Sequence, residues 1–157
     1  MAVRRIEMIR QNYKFGFDSW GLILFLVIMI PNFIWFAVPA PNDVLRTESV
    51  TKVVDAIGSV CQVAMVAMLC AIVHKERKKL GITPLIRAII GCCLVYYLCW
   101  ILYYTGVTNV VVILGMTVVP CFAFLFFAFD RKNGIALIPI GGFTVCHVIF
   151  GVVNFMI

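Results

Sequence analysis

The sequence predicts an all-α fold, a polytopic membrane bundle of five transmembrane helices with the N-terminus cytoplasmic and the C-terminus outside. Of its 157 residues, 64% are hydrophobic and only 13% are charged, whereas an ordinary soluble domain has about 45–50% apolar and about 25% charged residues. The apolar residues form five long runs, and the basic residues cluster on one side of them. This composition excludes a soluble globular enzyme and a disordered chain.

Five segments are long enough to cross a bilayer, which requires about 20 mostly apolar residues. The segments cover residues 20–38, 53–73, 85–104, 110–129 and 135–155. Their apolar runs are unbroken, which favours helices over the alternating strands of a barrel. The connections are short and contain most of the charge. Residues 1–157 are therefore expected to form a single transmembrane domain.

The distribution of basic residues predicts the orientation of the bundle. Of the 13 lysines and arginines, all but Arg46 and Lys52 fall in the N-terminal segment or near the second and fourth connections. Cytoplasmic loops are enriched in these residues, so this side is expected to face the cytoplasm. The net charge of +6 has the same explanation, because the basic residues set the topology and contact anionic lipid headgroups. Nucleic acid is accordingly excluded as a partner.

The first 18 residues form a basic segment before the first span. Val3, Ile6, Ile9 and Tyr13 fall roughly on one helical face, which favours a helix lying in the membrane interface. A frayed basic tail is the alternative.

The sequence lacks the usual signatures of catalysis and metal binding. All seven cysteines fall inside predicted spans, where thiols act as small apolar packing residues, and no C-x-x-C occurs. The two histidines, His74 and His147, are expected toward opposite membrane faces. Motifs for phosphate loops, zinc proteases and serine hydrolases are absent. We expect no metal, no cofactor and no catalytic residue assignable from motifs.

Three prolines fall within the predicted spans, at Pro31, Pro120 and Pro139. Proline lacks a backbone N–H and kinks or ends a helical turn, so it frees a backbone carbonyl. Inside a bilayer that carbonyl needs another donor or water. The kinks therefore slightly favour a cavity in the bundle.

Polar residues within the spans are energetically costly and predict a ligand site. Helical spacing places those of each span on a shared face, and depth estimates from about 1.5 Å per residue place them in the outer half of the membrane. The inner half is expected to be almost free of polar groups. The predicted ligand-binding residues are Asn32, Asp55, Ser59, Gln62, Tyr96, Trp100, Tyr103, His147 and Asn154. Their alternative role is structural, as interhelical hydrogen bonds and an aromatic belt.

Three functions are compatible with these features. The first is a multi-pass cell-membrane protein that binds or transports a small amphipathic or lipid-like ligand through an outward-facing polar and aromatic cavity. The second is a structural or accessory membrane subunit of the sensor or immunity type, with a second copy or another membrane protein as partner. The third is an intramembrane lipid-modifying enzyme with Asp55 and His147 as acid and base. In each case the lipid bilayer is the immediate surrounding partner.

Overall fold

The computed structural model describes residues 11–77 and 81–156 and consists mainly of five long helices. These are α1 (Ser19–Ala37), α2 (Lys52–Ala71), α3 (Pro84–Tyr104), α4 (Val110–Asp130) and α5 (Leu137–Phe155). Each is long and apolar enough to cross a membrane. Their bounds agree with the predicted spans to within two residues. The predicted all-α bundle of five helices is confirmed, and these helices indicate a membrane protein.

Three of the helices begin at a residue whose side chain caps the first turn. Asp18 accepts a hydrogen bond from the backbone N–H of Trp20 at the start of α1. Thr83 caps α3, which then begins with a proline, and Asn109 caps α4. Such side chains satisfy backbone donors that have no partner within the helix. Local sequence therefore fixes where these helices begin.

The helices differ in how extensively they contact one another. α4 is the most buried helix and packs along both α3 and α5, while α2 packs along α5. α1 packs mainly against α2 and contacts α3 and α4 at only a few positions. The bundle is thus a close-packed group of four helices, α2 to α5, with α1 at its side.

The contact between α2 and α5 depends on two glycine–cysteine pairs. A Cβ atom on Gly58 would lie 3.1 Å from the Cβ of Cys146, and one on Gly142 would lie 2.9 Å from the Sγ of Cys61. The absence of side chains at these glycines lets the two helix backbones approach closely. The predicted packing role of the cysteines is consistent with this arrangement.

A short antiparallel ribbon joins the segment before α1 to the segment after α2. Strand β1 (Tyr13–Phe15) pairs with β2 (Ile72–His74), with Lys14 opposite Val73. The sequence had placed residues 72 and 73 in the second span and Tyr13 on an interfacial helix. Each strand has only three residues, and a pattern this short cannot be recognised in a sequence. The other residues of that proposed helix, Val3, Ile6 and Ile9, lie outside the described residues.

The five helices alternate in direction, which gives the bundle two ends. The backbone N–H of Asp18 donates to the carbonyl of Cys70 at one end, 2.8 Å away. The hydroxyl of Tyr104 donates to the carbonyl of Val38 at the other, 2.6 Å away. We call the first, with residues 11–18, 72–77 and 130–136, the Asp18 end. The second, with residues 38–51 and 105–109, is the Asp43 end.

Candidate functional site

A groove between α1 and α3 is the main concave feature that we consider as a binding site. It consists of two clefts along the same helix pair, of about 450 Å³ toward the Asp18 end and about 310 Å³ toward the Asp43 end. The larger cleft is lined by Trp20, Ile23, Leu24, Val27, Ile86, Ile89, Ile90, Cys93, Leu94, Tyr97 and Phe127. The smaller is lined by Pro31, Ile34, Tyr97, Trp100, Ile101, Tyr104 and Thr105. We refer to the two clefts together as the α1–α3 groove.

The dimensions and lining of the groove suit a hydrocarbon chain. Small-molecule sites usually have volumes of about 300–1,000 Å³ and mostly apolar linings. From Trp20 to Ile34 the groove extends along about 20 Å of α1, at about 1.5 Å per residue. This is about two-thirds of the hydrocarbon core of a bilayer, which is about 30 Å thick. The groove therefore lies at the depth of lipid tails if α1 crosses a membrane.

A proline in α1 explains a polar bridge across the middle of this groove. Pro31 has no backbone N–H, so the carbonyl of Val27, four residues earlier, loses its usual helical donor. The hydroxyl of Tyr97 on α3 donates to that carbonyl at 2.6 Å. The freed carbonyl expected from the sequence at Pro31 thus has a partner, and that partner comes from the opposite wall of the groove.

A second polar contact between the same helices lies one turn away. Asn32 Nδ2 donates to the hydroxyl of Tyr96 at 2.8 Å, and also to the carbonyl of Ile28 at 3.3 Å. The ring of Tyr96 meets Trp100 edge to face, and Trp100 meets Tyr103 in the same way, with centroids 6.4 and 5.8 Å apart. The indole N–H of Trp100 is buried without a well-formed hydrogen bond among the described residues. Four predicted site residues therefore lie together along α1 and α3.

Asp43 accepts hydrogen bonds from several side chains at the Asp43 end of the bundle, next to the smaller cleft. Its carboxylate accepts hydrogen bonds from the indole N–H of Trp35 at 2.9 Å and from the hydroxyl of Tyr103 at 2.8 Å. Arg46 donates to it from Nε, also at 2.9 Å, and its guanidinium lies 5.0 Å from the centre of the Trp35 ring. Burial raises the pKa of Asp43, but the hydrogen bonds from Trp35, Tyr103 and the Ala40 N–H, together with the charge of Arg46, lower the pKa below 3.8. The carboxylate is therefore held in its charged form.

The other predicted site residues lie between different helices. Asn154 on α5 donates to the hydroxyl of Thr51 at 2.9 Å, and Thr51 donates to the carboxylate of Asp55 at 3.0 Å. Ser59 donates to the backbone carbonyl of Asp55 within α2. These contacts connect α2 with α5 near the Asp43 end.

Gln62 and His147 make weaker contacts. Gln62 Nε2 lies 3.9 Å from the sulfur of Met29 on α1, and the ring of His147 packs on Phe143 with centroids 4.1 Å apart. Within residues 11–77 and 81–156, no hydrogen bond joins Asp55 to His147. The enzyme hypothesis, which needs these two groups within hydrogen-bond reach, therefore has no direct contact between them to support it.

Seven of the nine predicted site residues fall into two groups, and Gln62 and His147 belong to neither. Asn32, Tyr96, Trp100 and Tyr103 lie between α1 and α3, and Asp55, Ser59 and Asn154 lie along α2 and its contact with α5. Of the nine, only Trp100 lines the α1–α3 groove. The groove itself is formed mainly by aliphatic residues that a search for polar side chains could not single out.

Sequence reasoning also missed a buried ionic cluster at the Asp18 end. Asp18 is only 4% exposed and Arg131 only 6%. Arg131 Nε donates to Asp18 at 2.8 Å, and Arg77 lies 2.9 Å from the same oxygen. The sequence had assigned both arginines to membrane topology and expected an inner half almost free of polar groups. The one available signal was an aspartate directly before an apolar run.

Asn133 completes the connections at this end. It is 3% exposed and donates to the carbonyls of Met68 and Ile72 at 3.0 and 2.9 Å. These carbonyls lie at the end of α2, and that of Met68 also accepts from the backbone N–H of Ile72. The connection between α4 and α5 is therefore fastened to α2.

Comparison with known proteins does not assign the chain to any group. No protein-family description, no curated protein and no solved structure matches it.

Proposed function

We propose that the chain is a multi-pass protein of the cell membrane, with the Asp18 end in the cytoplasm and the Asp43 end outside. The five apolar helices support a membrane location. The orientation is supported by the basic residues, since within residues 11–77 and 81–156 all but Arg46 and Lys52 lie at or near the Asp18 end. In this orientation the N-terminus is cytoplasmic and the C-terminus outside.

We further propose that the protein binds a lipid-like amphipathic ligand, with one hydrocarbon chain of the ligand in the α1–α3 groove. The observation that carries the proposal is the pair of apolar clefts along one helix interface, inside the span. The wall residues Ile90 and Leu94 are more than half exposed on the outer surface of the bundle, so the larger cleft is open to surrounding lipid. A chain could enter it sideways from the bilayer.

The Asp43 end provides polar groups for the head of such a ligand. Tyr104 and Thr105 line the smaller cleft where it approaches this end. Arg46 is held nearby by Asp43 and Trp35, and its side chain is still 42% exposed. The combination of a fixed cation and aromatic rings suits a zwitterionic or anionic headgroup.

Binding is favoured over transport by the way the polar residues are used. Asn32 is paired with Tyr96, and Asp43 with Trp35 and Tyr103. Groups that already satisfy one another stabilise a fixed arrangement, whereas a conducting path needs groups that exchange partners with the cargo. The proposed role is therefore to hold a lipid-like molecule.

Native mass spectrometry after gentle extraction would test this function with two tryptophan variants of α3. Ile101→Trp fills the smaller cleft, because Ile101 lines it and is 60% exposed. Leu98→Trp is the matched control, since Leu98 lies on the same helix, is 54% exposed and lines neither cleft. We expect a one-to-one lipid-like adduct on the wild type and on Leu98→Trp, and its loss from Ile101→Trp.

Two results would contradict the proposal. One is an adduct retained equally by all three proteins, which would place it outside the groove. The other is a wild-type chain that carries no small adduct and is found with another membrane protein in fixed ratio. The second result would support the accessory-subunit hypothesis.

A further inference from the structure

Tyr97 occupies a position in the groove that no other residue of the described chain shares. It lines both clefts, and its side chain reaches from α3 to the backbone of α1, where its hydroxyl lies 2.6 Å from the carbonyl of Val27. The two clefts therefore meet at this side chain, which separates them.

We propose that Tyr97 determines the length of the hydrocarbon chain that the groove accepts. This inference rests on the proposed function, because it concerns the same groove and a chain bound in it. With the hydroxyl on Val27, each cleft is a compartment of limited length. The larger runs from Trp20 to Val27 on α1, about 10 Å at about 1.5 Å per residue. A longer chain requires Tyr97 to leave its place so that the compartments join.

The helix chemistry around Pro31 explains why this barrier is a stable one. The Val27 carbonyl has no helical donor, and an unsatisfied carbonyl within a bilayer is unfavourable. Tyr97 provides that donor, so its ring is held across the groove by a hydrogen bond that α1 needs. A chain that displaces the ring must compensate for this lost bond. Short chains fit within one compartment and leave this hydrogen bond intact.

Chain-length titration of the purified full-length protein would test the inference. The probes are single-chain alkyl phosphocholines that differ only in chain length, and bound probe is measured by native mass spectrometry. For the wild type we expect affinity to rise with length and then level off where the chain reaches Tyr97. For Tyr97→Leu and for Tyr97→Phe we expect the rise to continue to longer chains. Each added methylene that becomes buried should contribute up to about fourfold in affinity.

Tyr104→Phe is the matched control. Tyr104 also donates a hydroxyl to a carbonyl of α1, that of Val38, at the same distance of 2.6 Å, but it lies at the end of the groove and does not separate the clefts. Because Tyr104 lines the smaller cleft, loss of its hydroxyl lowers the affinity for all probes alike, but it should leave the chain length at which affinity levels off unchanged. Tyr97→Phe retains the aromatic ring and provides the test if Tyr97→Leu does not fold.

The outcomes separate this inference from the proposed function. If the wild type binds no alkyl phosphocholine of any length, the proposed function fails and the inference fails with it. If the wild type binds these probes and the folded Tyr97 variants level off at the wild-type length, only the inference is overturned. A shift produced equally by Tyr104→Phe would also overturn it, since any lost hydroxyl would then suffice.

Discussion

Helices α1 and α5 are held to the bundle in opposite ways. α5 packs against α2 through close contacts in the middle of the helix, where Gly142 faces Cys61 and Cys146 faces Gly58. α1 instead is fastened by an aspartate near each end, the buried Asp18 and the partly buried Asp43, and clefts lie between α1 and α3. A helix held at its ends, and in its middle by isolated hydrogen bonds to α3, can leave space for a ligand without losing its place in the bundle.

The two aspartates that hold α1 are also unlike each other. Asp18 is bonded to Arg131 and lies against Arg77, two charged partners distant in sequence. Asp43 is bonded mainly by the neutral donors of Trp35 and Tyr103, with Arg46 from its own loop. One end of α1 thus depends on opposite charges and the other mostly on hydrogen bonds. We therefore expect substitutions of the two aspartates to lower the free energy of unfolding by different amounts.

The largest effect is expected from Asp18→Asn. The substitution removes the carboxylate shared by Arg131 and Arg77, and breaking a buried ion pair from one side usually costs about 3–5 kcal/mol. We expect the free energy of unfolding, measured by denaturant titration in detergent micelles, to fall by about 3 kcal/mol. The double variant Asp18→Asn/Arg131→Gln should recover part of this loss. If the free energy of unfolding falls less than in Asp43→Asn, charge is not what holds α1 at the Asp18 end.

A smaller effect is expected from Asp43→Asn. Asparagine retains one oxygen that can accept from Trp35 or Tyr103, but these bonds lose their charged acceptor. We expect a loss of about 1.5 kcal/mol by the same titration, the lower limit for hydrogen bonds to charged groups. Lys52→Gln at the same end is a suitable control, because its pair with Glu48 is solvent-exposed. An equal loss in this control would contradict the role of Asp43.

Two adjacent glycines of α5 allow a test of the close packing. A Cβ on Gly142 would lie 2.9 Å from Cys61 Sγ, whereas one on Gly141 has no atom within 4 Å. We expect Gly142→Ala to lower the thermal midpoint, with a cost of about 1 kcal/mol from overpacking. Gly141→Ala should not lower it, since alanine favours the helix. Adding Cys61→Ala should rescue Gly142→Ala, and the absence of rescue would locate the strain elsewhere.

The smallest effect concerns acid pH at the Asp43 end. Because the folded-state pKa of Asp43 is lowered, its contribution to stability is complete above its unfolded pKa of about 3.8 and is lost as pH falls through the folded value. We expect the fluorescence of Trp35 to change only below about pH 4, in a protein with Trp20 and Trp100 replaced by phenylalanine. The transition should be absent from Asp43→Asn. A transition near neutral pH would mean that another group controls this end.

The sequence was a good guide to the helices and a poor guide to their contacts. Long apolar runs determined all five spans within two residues, because length and hydropathy suffice to identify a spanning helix. Which helix faces which depends on rotation about each helix axis. Helices that are apolar on all sides, such as α1, contain little information about that rotation. The pairing of Asn32 with Tyr96 therefore required the structure.

The missed charge cluster has a related explanation. Arginines near the ends of spans are normally counted as topology signals, and nothing in the local sequence distinguishes Arg131 from Lys132 beside it. In the structure Arg131 is buried on Asp18, 113 positions earlier, while the side chain of Lys132 is 51% exposed. Pro31 was more informative, because the loss of the Val27 donor follows from covalent chemistry alone. The sequence did not reveal that Tyr97 is the residue that replaces this donor.

The ribbon of β1 and β2 and the cluster around Asp18 also constrain the order of assembly during synthesis. The partner strand of residues 13–15 is made almost sixty residues later, and Arg131 follows only after α4. Since chains emerge from the ribosome N-terminus first, α1 is inserted well before the groups that fasten its first end exist. Its position becomes final only when four of the five helices have been made. A chain truncated before Arg131 would therefore present to the quality-control machinery of the membrane a first helix that lacks one of the buried partners at its first end.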